Sequence, residues 1–437
     1  MKKHLQHQKG VFVLLLLALF VGMGTANAYD FYKNCSTGQR LYYNIIDATN
    51  HYVELTYPGT FGEPWAGYTE PTGNITLPST VTYNGINYTV TRIGEVAFAD
   101  CTGLTGSLTI PNTVTTIGHG AFMGCTGFTG SLTIPNSVTS IGPHVFNGCT
   151  GFTGSLTIPN SVTQIGAYAF TWLSSLTGSL TLPNSITVIP EGAFEYCVNL
   201  SGNLSLPNSL TTIGYAAFLG CTSFTGSLTI PNSVTSIAGY AFYSCDGFNG
   251  TLTIGTGVTS IGVNAFKNCS GFTQVKYNAI NCNDVNDEAK PFEGCIGTLT
   301  IGNGVQRIPA CMFAYGGFTG TLSIPNSVTT IGEHAFYECE DFTGHLTIPS
   351  SVTSISDAAF FWCVNLTGLT LPNSVTTIGS QAFYKCSSFT GSLIIPNSVT
   401  EIGWDAFGHC TEFTSLTLGT SLTTIGCGAF VWCEFRG

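Results

Sequence analysis

Apolar residues recur along most of this chain with a period close to 24. The pair Ala-Phe stands at Ala97-Phe98, Ala121-Phe122, Ala169-Phe170, Ala193-Phe194, Ala217-Phe218, Ala241-Phe242 and Ala265-Phe266, with Val145-Phe146 filling the one gap. The series continues through Phe292, Phe313, Phe336, Phe360, Phe383, Phe407 and Phe430. Leu132-Thr133-Ile134 alternates inward, outward, inward, which predicts a short strand. Pro135-Asn136 ends it, because proline cannot donate to a ladder and asparagine favours a turn. Val138 and Ile141 are expected to point inward as the chain turns. The stretch from Val145 to Cys149 is expected to form a helical or 3-10 turn that inserts Phe146 and Cys149 into the interior. A single coil has one apolar edge and cannot bury it alone, so the period predicts a solenoid of about fifteen stacked coils.

Two units show the core L-x-x-L-x-L directly or with one aromatic replacement: Leu366-Thr-Gly-Leu369-Thr-Leu371 and Phe413-Thr-Ser-Leu416-Thr-Leu418. On these motifs the chain resembles the leucine-rich repeats of the BspA-like surface proteins. The resemblance covers nearly the whole chain after its first 28 residues. It implies a leucine-rich-repeat solenoid, mostly β, with parallel strands on one face and short turns on the other. It also implies an adhesin that binds host or community macromolecules, extracellular-matrix proteins among them. The 24-residue units carry one extra Gly or Ser before the strand, read here as a bulge at the strand entrance.

Outside the repeat, residues 29–73 are rich in tyrosine. Leu41–Ile45 and Tyr52–Tyr57, joined through Asp47–Asn50, predict a β-hairpin that caps the first coil against edge pairing. A second strand pair is expected around Val81–Tyr83 and Tyr88–Val90, flanking Asn84-Gly85. The solenoid is expected from residue 74 to 437, interrupted at 279–290. That interruption gathers Asp284, Asp287 and Glu288. It lacks the full pattern of a calcium loop, so a solvated loop on the convex side is expected. The chain stops before the next strand would begin, which reads as a truncation or as an open edge available for self-association.

The first residues read as a signal peptide: Lys2, Lys3 and Lys9, an apolar run from Val11 to Val21, then Ala26-Asn27-Ala28 before a cleavage site. The expected location is secreted or cell surface, with no transmembrane segment. Only 8% of residues are charged and the net charge is −11. Removing the first 28 residues leaves 9 basic and 23 acidic residues, or −14. That balance argues against nucleic-acid binding.

Thirteen of the seventeen cysteines fall three residues after the Phe, a phase where Leu173 stands in another coil. Interchange with leucine predicts buried thiols rather than disulfides or a metal site. Cys35, Cys282, Cys311 and Cys427 are out of phase and are the better candidates for bridging. No nucleophile elbow, zincin or P-loop motif occurs. Glu191, Glu195, Glu333 and Glu338 offer carboxylate pairs, but glycoside hydrolysis also needs a cleft. An enzyme is not expected, nor a cofactor. The outward strand position is nearly uniform, from Thr109 through Thr417, with Lys276 and Ile394 as exceptions. The turn side varies and carries Tyr168, Trp172, Tyr196, Tyr215, Tyr240, Tyr243, Tyr337, Trp362, Tyr384, Trp404 and Trp432. Aromatic residues with a wet edge suit protein or glycan ligands, so these eleven are the candidate binding residues. The alternative is a self-assembling structural protein of the envelope or matrix.

Overall fold

The computed structural model describes residues 29–286 and 288–435. The expected signal peptide and Asp287 lie outside the described residues. The chain opens with β1 (Phe31–Asn34), β2 (Arg40–Asp47) and β3 (Tyr52–Thr56), each antiparallel to the one before it. After β4 (Gly73–Asn74) come β5 (Thr80–Tyr83) and β6 (Ile86–Ile93), an antiparallel pair around Asn84-Gly85. Both hairpins stand where the local alternation places them. β6 pairs in parallel with β3 on one side and with Thr116–Ile117 on the other, joining these strands to the stack.

From there the chain is a parallel β-solenoid. The fifteen phased phenylalanines are separated by about fourteen turns, one fewer than the copies counted along the sequence. Each turn has three sides. The first is the Leu-x-Ile strand, seen as Leu156–Thr157 beside Leu180–Thr181. The second is a two-residue strand ending in isoleucine, such as Ser140–Ile141 beside Gln164–Ile165. The sequence pattern showed that isoleucine only as an inward residue of a bend. The third side is the arc around each Phe. The Phe rings stack along the axis, with Phe122 and Phe146 5.6 Å apart and Phe194 and Phe218 5.3 Å apart. Leucine, isoleucine, valine and alanine fill the space around them.

The arc is not helical; no helix occurs among the described residues. A helix sends successive N–H groups four residues back. Here alternate N–H groups leave the coil. The amides of His144, Phe146 and Gly148 donate to the carbonyls of Ala167, Ala169 and Thr171 in the next coil. Those of Asn147 and Cys149 turn back locally, to His144 and Phe146. The geometry requires two left-handed residues per arc. In all fifteen arcs the residues two before and two after the Phe have φ between 35° and 74°. Glycine fills some of these places, but so do Tyr168, Trp172 and Lys385.

The strand-entrance bulge is present. Gly130 pairs with Phe152, yet Thr133 pairs with Thr157, a slip of two residues. In the shorter unit Gly344 pairs with Leu366 and His345 with Gly368, a slip of one. The second side is broken where proline replaces its closing glycine. Gly166 N–H reaches Ile141 O at 2.8 Å, and Gly214 N–H reaches Ile189 O at 2.8 Å. Pro190, at the same phase, has no N–H for Ile165. Glycine suits this phase for space as well, since a Cβ on Gly166 would lie 2.1 Å from the nitrogen of Pro143 in the preceding coil. The strand run therefore stops between Gln164–Ile165 and Val188–Ile189. A cleft of about 440 Å³ lies there, lined by Ile141, Ile165, Thr187 and Val188 among others.

Pro309 makes the second break, and the irregular stretch after Ala279 fills it. Ile280, Asn281, Asn283, Asp284, Asn286 and Glu288 of this stretch are exposed, as expected of a solvated loop, but the stretch is also tied to the stack. Ala279 and Cys282 are fully buried. Asn283 N–H bonds Thr259 O, and Gln306 N–H bonds Ile280 O, both at 2.9 Å. Asp284 accepts from Ala310 N–H at 2.7 Å and from the guanidinium of Arg307. Its two oxygens are thus engaged by the protein itself.

Candidate functional site

Side-chain hydroxyls explain why the turn into the second strand is uniform. Ser137 Oγ donates to Val114 O at 2.6 Å, and Ser185, Ser209 and Ser398 repeat the bond in their own coils. Thr139, Thr211 and Thr235 donate to the carbonyl of the corresponding threonine one coil earlier. These groups hold neighbouring coils together. The outward strand threonines are exposed and regular, with Ile394 the apolar exception at 61% exposure.

The cysteine column is interior, and none of the cysteines is joined in a disulfide. It is more than a set of small apolar residues, because from Cys125 to Cys433 each thiol of the column donates to a phenylalanine carbonyl of the preceding coil. Cys125 Sγ lies 2.9 Å from Phe98 O, and Cys245 Sγ lies 3.1 Å from Phe218 O. Burial pushes the Cys149 thiol up to about 12, so it stays protonated and inert. None of the out-of-phase four is bridged. Cys282 and Cys311 are buried, Cys35 is half-buried and Cys427 is exposed.

The eleven candidate aromatics all stand on or beside the arc, and the structure divides them into two groups. In the first, Tyr168 stacks on His144 at 5.0 Å and Trp172 on Tyr196 at 4.3 Å. Tyr215, Tyr240 and Tyr243 follow, with 5.5 Å between successive rings. Glycines one coil on make room: a Cβ on Gly192 would lie 2.2 Å from the Tyr168 ring, and one on Gly220 2.7 Å from Tyr196. In the second group a ladder runs Tyr315, Tyr337, Phe361, Tyr384, at 5.4, 4.6 and 5.0 Å. Trp362 tilts against Phe361, and Trp432 stacks on His409. Trp404 is 56% exposed and Trp432 68%. Sequence reading missed Tyr315 and Phe361, although their spacing to Tyr337 and Tyr384 is that of the repeat.

The two groups differ in charge. The second carries its own cations: Lys290 Nζ sits 3.8 Å above the Tyr315 ring and Lys385 Nζ 3.6 Å above Trp362. The first carries carboxylates. Tyr168 Oη donates to Glu191 Oε1 at 2.5 Å. Burial, with the like charge of Glu191 added, pushes the Glu195 carboxyl up to about 7. Burial, with His119 beside it, lowers His144 to about 4, so that imidazole is neutral at pH 7. The Glu191–Glu195 pair does not line the cleft beside Pro190. Among the described residues no group of three or more histidine, cysteine or acidic side chains is placed to hold a metal. No helix among them is long and apolar enough to cross a membrane.

The sequence profile of the BspA-type leucine-rich repeat region matches residues 79–201, 201–319 and 306–436. No curated protein matches the chain. Among solved structures, a leucine-rich repeat protein from Bacteroides ovatus is 24% identical, covers 93% of this chain and 92% of its own, and has a TM-score of 0.53. A leucine-rich cell surface protein from Faecalibacterium prausnitzii is also 24% identical. It covers 92% of this chain and 95% of its own, with a TM-score of 0.42. The Bacteroides structure shares the solenoid fold.

Proposed function

The chain belongs to the BspA-type leucine-rich repeat family, and from that premise we propose that it is an exported adhesin, secreted or held at the cell surface, whose arc face binds partner proteins. One observation carries the reading. The turn into the second strand repeats serines and threonines that spend their hydroxyls on neighbouring coils, and the first strand repeats exposed threonines, whereas the arc varies and exposes Trp172, Tyr215, Trp404 and Trp432. Aromatic residues of this kind anchor protein interfaces.

The test is binding of the full chain to an immobilised panel of extracellular-matrix proteins. Saturable binding that falls in a Trp172→Ala/Tyr215→Ala variant and persists in Ile394→Thr is the expected result. No binding by the folded chain, or equal binding by both variants, overturns the reading. Self-association without foreign binding would point instead to a structural matrix protein.

A further inference from the structure

The first aromatic group lies in a region of one-sided charge. From Ile93 to Phe266 the chain has no lysine or arginine, yet Glu191 and Glu195 stand within that span. Neither makes an ion pair among the described residues. Both act on the Tyr168 and Tyr215 hydroxyls, and Glu195 acts also on Tyr196. Two carboxylates among tyrosine and tryptophan rings form the surroundings that attract a lysine or arginine side chain, through charge and through the ring quadrupole. The second aromatic group shows the same chemistry already satisfied within the chain. There Lys290 and Lys385 sit on Tyr315 and Trp362. The first group has the rings and the negative charge but no cation, and its nearest imidazole, His144, is held neutral by burial.

We propose that the patch formed by Tyr168, Trp172, Glu191, Glu195, Tyr196 and Tyr215 is a docking site for a lysine- or arginine-bearing segment of a partner protein. This rests on the protein-binding reading above and narrows it to one region and one partner chemistry. The incoming cation pairs with the carboxylates and lies over the ring of Tyr215, which is tilted 60° from Tyr240 and 46% exposed, as Lys385 lies over the face of Trp362 in the other group.

The experiment titrates the full chain against a fluorescein-labelled decalysine peptide, with a decaglutamate peptide as its counterpart. Glu191→Gln/Glu195→Gln should weaken decalysine binding by about tenfold, a loss of about 1.4 kcal/mol. Glu333→Gln/Glu340→Gln changes net charge equally on the second group and should have less than about a third of that effect on the fold-change scale. Tyr215→Ala, which leaves charge unchanged, should weaken binding as well. Equal weakening by the two double variants would mean attraction to net charge alone, and it overturns the proposal. So does displacement of the peptide by calcium alone at equal charge concentration. Repeating the matrix-protein panel with Glu191→Gln/Glu195→Gln separates the two readings. If matrix binding persists unchanged, the patch is wrong and the adhesin stands; if the wild-type chain binds nothing, the adhesin reading itself has failed.

Discussion

The phenylalanine at the centre of each arc and the residues two places to either side share one short turn, yet they obey opposite rules. Phe122, Phe146, Phe194 and Phe218 are wholly buried, and each ring meets the ring of the next coil. The flanking residues share only a backbone conformation. Val96, His144, Trp172, Ser244, Lys290 and Trp432 all adopt the left-handed region. Side-chain packing selects the centre, whereas hydrogen bonds between coils impose the flanks. Identity is therefore constrained at one position and released at the other. Some released positions, such as Val96 and Cys311, are buried, but others, such as Trp172 and Trp432, are exposed, and there the chain can vary its surface without altering its stack.

The largest expected effect tests the buried half of this contrast. Phe218→Ala should cost about 3–5 kcal/mol, because the site is walled by Phe194 and Phe242 and cannot collapse. Trp172→Ala, two places from its own Phe and 39% exposed, should cost far less. Chemical denaturation of both variants measures the difference. Similar losses would mean that the outer aromatics hold the stack together as much as the inner ones.

The buried half was legible in the sequence because burial repeats with the period. Phe, Cys, Leu and Ile at fixed phases, and the alternation in β2 and β3, are local signals that packing does not override. The arc conformation was misread as helical because its cause is non-local. Nothing in Tyr168 or Lys385 signals a positive φ; glycines recurring at the same two phases, Gly120, Gly124, Gly148, Gly192, Gly220, Gly294 and Gly428, hint at it. The second strand was missed for a related reason, since two residues such as Ser140–Ile141 are too short to show alternation. The candidate aromatics were placed on the varying side, but their grouping into columns was not visible. Nor was the placing of Glu191 and Glu195 beside the Tyr168 and Tyr215 hydroxyls, which depends on how the coils stack.

A pH titration sharpens the outer half. Glu195 has its folded pKa raised from 4.5 to about 7 by burial and by Glu191. The charged form is therefore disfavoured in the folded chain. Stability from this group is fully present below pH 4.5 and is lost as pH rises through 7. Because the carboxyl keeps part of its hydration, the change is on the order of 1–2 kcal/mol rather than the full shift. His144 opposes it: its pKa falls to about 4, so its contribution is present above pH 6.5 and lost as pH drops. Glu195→Gln should remove the loss between pH 5 and 7.5 and leave the acid-side fall. An unchanged profile in that variant would place Glu195 in water, not beneath the rings.

The smallest effect separates backbone from side chain most cleanly. Ser244 sits two residues after Phe242 with φ of 54°, whereas Ser236 lies in the extended strand Ser236–Ile237 of the same coil. Both are half-buried serines, so replacing each with glycine removes the same atoms. At Ser244 the change relieves a left-handed residue, worth about 1–2 kcal/mol, against about 0.4–1 kcal/mol for the freer unfolded chain. A net gain of about 0.5–1 kcal/mol is expected. At Ser236 there is no strain to relieve, so only the entropic loss of about 0.5–1 kcal/mol remains. Opposite signs in paired urea denaturation curves would show that the arc positions are governed by φ, independent of what the side chain touches. The same sign at both positions would show that the serine side chains, not the backbone, set the balance.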